Sequence, residues 1–292
     1  MRSLLFVPGD SERKMEKALT SGADVLILDL EDSVSAANKP AAREITAAFL
    51  REHAGQDNPA LHVRVNALDT ELTQADLDAV MGAGPVGIML PKAEGGEDVA
   101  RLAAMLRVSE AENGLEDGST TILPIITETP RAVLNAGSYH NVRERLVGLT
   151  WGAEDLSAAI GARATRDEAG NYTPVFQHAR TVTILSASAI GVAAVDTVYP
   201  NFRDEEGFRR DCIEGERDGF TARMAIHPAQ VPIINEVFTP SPEAIEKAQR
   251  LLNAVSAQGD AGVIALDGEM IDRPHIVRAE RVLARARAAG AL

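Results

Sequence analysis

Short apolar runs recur along the chain, each closed by a polar or proline-bearing corner and followed by a stretch with helical spacing. They are Ser3 to Val7, Val25 to Leu30, Leu61 to Val65, Gly87 to Leu90, Thr121 to Ile126, Leu146 to Thr150, Ala193 to Tyr199 and Ala222 to Ile226. Runs this rich in Val, Ile and Leu suit strands buried on both faces of a parallel sheet. Their alternation with helical crossovers predicts an α/β fold, a (β/α)8 TIM barrel over residues 1–238.

The helices carry their own signals. Ser11-Glu12 opens a helix with Met15, Ala18 and Leu19 inward and Arg13, Lys14 and Lys17 toward solvent, and Gly22 closes it. Ala162 to Pro174 reads as a polar loop after the sixth strand, overhanging the active face. Beyond the eighth strand the pattern changes. Ser241-Pro242 starts a helix that runs through Ala244 to Ser256, and Gly262 to Leu266, Asp267-Gly268 and Glu269 to Asp272 form a hairpin. An Arg- and Ala-rich helix follows from about Pro274, so residues 239–292 form a C-terminal helix-hairpin-helix extension, a candidate lid or subunit-exchange arm.

Composition narrows the function more than the fold. Of 292 residues, 45% are hydrophobic and 25% charged, enough for a substantial core. The 29 basic against 43 acidic residues leave −14, which opposes attraction to nucleic acid or to an anionic membrane surface. Cys212 is alone, which excludes an intrachain disulfide or a Cys-based zinc cage, and MRSLLFVPGD is too short an apolar run for a signal peptide. A reducing cytoplasm is the expected setting.

Barrel active sites gather at the carboxyl ends of the strands. Those ends carry Asp29, Glu31 and Asp32, then Arg64 and Asn66, Lys92, Glu128, Glu154 and Asp155, and His227. Glu128 and Asp155 come from consecutive strands and could share a hard divalent cation, Mg²⁺ rather than zinc, because the 6 histidines show no zinc-binding spacing. Each carboxylate could instead cap the helix that follows. Arg64 sits in an apolar strand, where a guanidinium needs an anion: a substrate carboxylate, or Glu31 or Glu128 in a structural pair. Lys92, which would neutralise the acidic mouth, and His227 read as structural.

These residues resemble the citrate lyase β-subunit and malyl-CoA lyase (CitE-like) branch of the HpcH/HpaI aldolases. The resemblance spans nearly the whole chain. It rests on Arg2-Ser3 with LFVPG from Leu5 to Gly9, DLEDSV from Asp29 to Val34, Arg64-Val65-Asn66, Leu90-Pro91-Lys92, Glu128 in ITET, GAEDL from Gly152 to Leu156, IHPAQV from Ile226 to Val231, and Met270-Ile271-Asp272. One departure is Ala222-Arg223, where many relatives have Gly-Lys.

The resemblance implies an Mg²⁺-dependent (or Mn²⁺-dependent) barrel that makes or breaks a carbon–carbon bond between a 2-oxo acid and the α-carbon of an acyl thioester. In that pattern Glu128 and Asp155 hold the metal, Arg64 clamps the acid, and Glu31 and Asp32 position metal waters. Asp272, which the sequence alone would make a hairpin end or a helix N-cap, matches the family's tail general base, often acting in a neighbouring subunit's site. A homo-oligomer, trimer or hexamer, follows. Lys17 and Arg13, with Lys39 and Arg43, are candidates for the CoA phosphates, with a solvated helix face as the other reading.

The expected activity is a carbon–carbon lyase acting on a malyl-CoA or citramalyl-CoA type thioester. Its alternatives are a citrate lyase β-subunit working with an acyl-carrier protein, a malyl-CoA thioesterase, a metal-dependent aldolase using free pyruvate enolate, or a non-catalytic barrel subunit.

Overall fold

The computed structural model describes the whole chain except residues 54, 56–58, 259–263 and 267–268. Eight parallel strands, β1 (Ser3–Pro8), β2 (Val25–Asp29), β3 (Ala60–Arg64), β4 (Gly87–Leu90), β5 (Thr121–Pro124), β6 (Gly148–Thr150), β7 (Ala193–Asp196) and β8 (Ala222–Ala225), run in the order β5-β4-β3-β2-β1-β8-β7-β6. The two ends of this sheet meet through single parallel bridges, Ile122 to Leu146 and Ile125 to Thr150. Across them Ile126 donates to Thr150 at 2.9 Å and Val147 to Ile122 at 3.1 Å, so the sheet curls into a nearly closed (β/α)8 barrel.

Inward positions two apart along the strands, Leu4, Val25, Ile27, Met89, Leu123 and Val195, fill the barrel interior. The opposite strand faces pack under the surrounding helices: α1 (Glu12–Leu19), α2 (Lys39–His53), α3 (Thr73–Val80), α4 (Gly96–Glu112), α5 (Pro130–Leu134), α6 (Ala153–Ile160), α7 (Pro174–Ile190), α8 (Glu205–Asp218) and α9 (Val231–Phe238). As the sequence predicts, α1 buries Met15 and Ala18; its cap is Thr20, two residues before Gly22.

All eight expected strands form, and β5, β6 and β7 are shorter than their apolar runs by two residues or more. In β7 the Asp196 carboxylate takes the Thr197 N–H at 2.9 Å, which ends the ladder before Tyr199. The Leu146 N–H is committed to Arg143 in a 3₁₀ turn, which delays β6 to Gly148. β5 stops at Pro124.

A buried charge network braces the β7 and β8 side. Arg223 is fully buried and meets Asp196 at 3.3 Å and also Asp211; Arg180 reaches Asp196 and Arg166 reaches Asp211, both at 2.8 Å. Burial works against the Asp211 charge, yet Arg223 and Arg166 hold its carboxyl down at about 2. Its contribution is therefore present above the ordinary value of 3.8 and lost as pH falls toward 2. Asp211→Asn leaves buried guanidinium charge uncompensated, and chemical denaturation at pH 7 is expected to register a loss of about 3–5 kcal/mol.

The stretch expected to overhang the mouth as a loop after the sixth strand lies in the connection between β6 and β7, and none of its residues lines the cavity at the mouth. It follows α6, and Arg166 pins it down by bonding Gly170 at 2.8 Å and lying 3.6 Å over the Tyr172 ring. Pro174 already belongs to α7.

The tail comprises α10 (Pro242–Gln258), the antiparallel pair β9 (Ile264–Leu266) and β10 (Glu269–Ile271), and α11 (Arg273–Ala288). The expected start of the hairpin at Gly262 and its Asp267-Gly268 turn lie outside the described residues. Ala248, Leu251, Ile271, Ala279 and Leu283 give this segment its own small core. α11 docks where the barrel strands begin, with Arg285 bonded to Glu216 at 2.9 Å and to the Phe238 carbonyl at 3.0 Å. Among the described residues no helix is long and apolar enough to cross a membrane.

Candidate active site

The carboxyl ends of the strands surround a cavity of about 400 Å³. Asp29, the last residue of β2, is buried and receives four donors: Arg64 Nε and Nη2, each at 2.7 Å, and the backbone N–H groups of Glu31 at 2.9 Å and Ser33 at 3.0 Å. Burial pushes its carboxyl up, but the Arg64 fork holds it below the ordinary carboxylate value.

The structural partner expected for Arg64, Glu31 or Glu128, is met only in part. The guanidinium is bidentate on Asp29, a residue the sequence places at the mouth without a role, and Glu128 is not among its partners. Its remaining nitrogen, Nη1, lies 2.9 Å from Glu31 Oε2 and 3.8 Å from Asp32 Oδ2. The contact to Glu31 lacks hydrogen-bond geometry, so Oε2 stays a buried acceptor without a donor. Arg64 still forms part of the cavity wall, stacked 4.8 Å over Phe6.

Lys92 is the structural hub. It adopts a left-handed backbone, φ +52°, unusual for a residue with a side chain. That turn aims its N–H at Glu128 Oε2, while its ammonium bonds Glu31 and lies 3.8 Å from Asp32 and 3.9 Å from Asp155. The expectation that Lys92 neutralises the acidic mouth is met in this geometry.

Glu128, 2% exposed, takes that one N–H. Burial, then the charges of Asp155 and Glu31, push its carboxyl up to about 8. Gly152 makes room for it, since a Cβ there would stand 2.7 Å from Glu128 Cγ. Asp155, in the first turn of α6 and about one-third exposed, faces the same cavity with Glu154.

These features fit a divalent cation. An acceptor of Glu31 is buried without a donor, the Glu128 charge is destabilised by neighbouring acids, and an ammonium already occupies the centre of the cluster. The carboxylates surround Lys92 rather than converging on one point. Among the described residues, the group whose ligand atoms lie within 4.8 Å of one another is Glu16, Glu52 and His53, on α1 and α2. Gly152→Ala is expected to weaken magnesium binding by roughly tenfold to a hundredfold by displacing Glu128. Calorimetric titration measures this, and an unchanged circular dichroism spectrum would separate it from misfolding.

Other expected residues divide. Arg13 and Lys17 are exposed on α1. Lys39 and Arg43 are both engaged within the chain: the Lys39 ammonium bonds the Leu30 and Glu31 carbonyls, each at 2.9 Å, and Arg43 pairs with buried Asp76 at 2.7 Å. His227 caps a short turn by accepting from Ala229 and stacks on Phe202 with ring centroids 4.5 Å apart, matching its structural reading. Asp272 caps α11, its Oδ1 2.6 Å from His275 Nδ1, and no described residue beyond 238 lines the mouth cavity.

The sequence reading missed the apolar wall made by Phe6, Ile125, Val198, Met224 and Ile226, and it missed Trp151, whose indole N–H bonds Asp196 at 2.7 Å. Strand alternation was the available signal, since Phe6, Ile125 and Met224 each lie two residues beyond an interior side chain, Leu4, Leu123 and Ala222.

Comparison with known proteins agrees with this layout. Residues 2–228 match the model of the HpcH/HpaI aldolase/citrate lyase family. Citrate lyase subunit beta of Leuconostoc mesenteroides subsp. cremoris is 34% identical over 98% of this chain and 93% of its own. A (3S)-malyl-CoA thioesterase of Cereibacter sphaeroides (strain KD131 / KCTC 12085) is 37% identical over 99% and 96%. Among solved structures, protein CitE from Mycobacterium tuberculosis in complex with magnesium, acetoacetate and coenzyme A superimposes with a TM-score of 0.77 at 35% identity, covering 98% of both chains. RipC from Yersinia pestis gives 0.67 at 30%, covering 84% of this chain and 98% of its own. The barrel, its acidic mouth and full-length similarity at this level all lead to one conclusion: the chain belongs to the HpcH/HpaI aldolase/citrate lyase family.

Proposed function

We propose that the protein is a magnesium-dependent carbon–carbon lyase that cleaves a 3-hydroxyacyl-CoA of the malyl-CoA or citramalyl-CoA type, reversibly, to an acyl-CoA and a 2-oxo acid. The observation that carries this reading is the acid cluster of Glu31, Asp32, Glu128 and Asp155 around Lys92, three of them by its ammonium and Glu128 by its backbone N–H, opening on a cavity with Arg64 in its wall. Relatives crystallised with magnesium and pyruvate, or with magnesium, acetoacetate and coenzyme A, support the ligand classes.

Glu128 and Asp155 would hold the cation, with Glu31 and Asp32 ordering its waters. Magnesium, when bound, supplies Lewis-acid stabilisation of the charge on the 2-oxo acid. Arg64, fixed by Asp29, keeps positive charge beside that acid. In cleavage a carboxylate of the acid cluster would take the 3-hydroxyl proton, the keto group forms as the bond between C2 and C3 breaks, and the electron pair of that bond passes to the thioester enolate. Asp272 returns a proton to the enolate carbon and removes it in condensation. Docking of the tail at the opposite end of its own barrel favours Asp272 of a second copy in a homo-oligomer. Arg13 and Lys17, exposed on α1, remain the candidates for the CoA phosphates.

A thioesterase reading on the same scaffold is favoured by the malyl-CoA thioesterase relatives, and a carrier-protein-dependent reading by the citrate lyase β-subunits. The test incubates the protein with 3-hydroxyacyl-CoA esters, with and without Mg²⁺, and follows 2-oxo acid, acyl-CoA and free CoA together. Matched release of 2-oxo acid and acyl-CoA is expected. Free CoA without a 2-oxo acid would replace the lyase by a thioesterase, and turnover only of carrier-bound esters would replace CoA by the carrier protein.

A further inference from the structure

We infer that the 2-oxo acid accepted by this site carries a hydrocarbon substituent, as pyruvate and 2-oxobutyrate do, and not a second carboxylate. This rests on the lyase reading above and specifies its substrate class.

The mouth is divided by strand order. The ends of β2, β3, β5 and β6 supply Asp29, Asp32, Arg64, Glu128 and Asp155 to the cavity wall. The ends of β7, β8 and β1 supply Val198, Met224, Ile226 and Phe6, and Ile125 continues that apolar wall across from β5. The two halves therefore solvate different chemistry, one made of ionised oxygens and the other of hydrocarbon.

A 2-oxo acid has the matching asymmetry, with carboxylate and keto oxygens on one edge and the substituent on C2 at the other. With its oxygens turned to the polar wall, its substituent meets Phe6, Val198, Met224 and Ile226. A methyl or ethyl group is favoured there by burial. A second carboxylate would be desolvated without an ionic partner, which is costly. Arg64 is the one cation among the described residues of the wall, and its fork is already committed to Asp29. The polar groups nearest the apolar side do not replace it. Thr197 offers a hydroxyl, which brings no charge, and its N–H is taken by Asp196. The excess of acids at the mouth adds repulsion against a further negative group.

The experiment measures binding rather than turnover, by calorimetry on the unaltered protein with Mg²⁺ and in turn glyoxylate, pyruvate, 2-oxobutyrate and freshly dissolved oxaloacetate. Pyruvate is expected to bind more tightly than oxaloacetate by at least roughly tenfold, and more tightly than glyoxylate by about threefold. Ile226, 41% exposed at the rim of the apolar wall, tolerates a longer side chain, and Ile226→Arg is expected to narrow the preference over oxaloacetate by roughly tenfold. Oxaloacetate bound as tightly as pyruvate by the unaltered protein would overturn the inference while leaving the lyase reading standing. The inference is also overturned if pyruvate and 2-oxobutyrate bind no better than glyoxylate. Failure of every 2-oxo acid to bind in the presence of Mg²⁺ would overturn both.

Discussion

Replacing Glu128 with Gln is expected to abolish magnesium binding and turnover while making the metal-free protein more stable at pH 9. The two effects have one cause. Burial and the neighbouring Asp155 and Glu31 raise the Glu128 carboxyl to about 8 from an ordinary 4.5, so the fold favours its neutral form. For a raised acid the sign is fixed: stability is intact below the ordinary value and is lost as pH climbs through about 8. The loss at pH 9 is on the order of 4 kcal/mol, seen as a fall in Tm of roughly 5–10 °C. Gln keeps the acceptor for the Lys92 N–H but cannot ionise, so its Tm should stay level over the same range. Magnesium should cancel the loss only in the unaltered protein, and turnover of the variant should fall by roughly a thousandfold. Scanning fluorimetry from pH 5 to pH 9, with and without Mg²⁺, reads all of this. A variant that loses stability in parallel with the parent would remove Glu128 as the source.

Asp272 offers the second large effect. Asp272→Asn retains a good helix cap, whereas Asp272→Ala loses about 1 kcal/mol of capping. Both are expected to reduce turnover by roughly a hundredfold to ten-thousandfold, with stability falling only in the Ala variant. Agreement of the two activities would separate proton transfer from capping. Because the tail lies away from its own mouth, mixing subunits of Asp272→Asn with subunits of Glu128→Gln is expected to restore activity to about a quarter of sites. Each intact site would draw Glu128 from one chain and Asp272 from the other. If the tail served its own barrel, every site in the mixture would carry one lesion and activity would stay at the level of the single variants.

The barrel was legible because parallel strands buried on both faces leave uninterrupted apolar runs, and because the runs of β2, β3, β5 and β6 lead into charged residues that the structure does place at the mouth. Glu128, Asp155, Glu31 and Asp32 were found for that reason. Pairing was not legible. Arg64 had several acids within a few residues of a strand end, and only the register that sets Asp29 beside it in β2 and β3 selects its partner. The same limit applies to Lys39 and Arg43, which read as surface charge along the chain but turn inward onto carbonyls and a buried carboxylate. The apolar wall escaped because its residues look like ordinary core. Arg223 attracted notice only as a departure from relatives, although it anchors a buried ion network with Asp196, which also holds Trp151.

One joint in the barrel has a mechanical implication. Elsewhere neighbouring strands are zipped by continuous ladders, whereas β5 and β6 touch through isolated bridges. Glu128 follows the first of these strands and Asp155 the second. A cation gripped by both side chains would work as a rivet across the loosest seam, so that the ion which activates the substrate also locks the cylinder. Loading would then slow hydrogen exchange at the Ile126 and Val147 amides, which cross that seam. The barrel would be stiffest when ready to react.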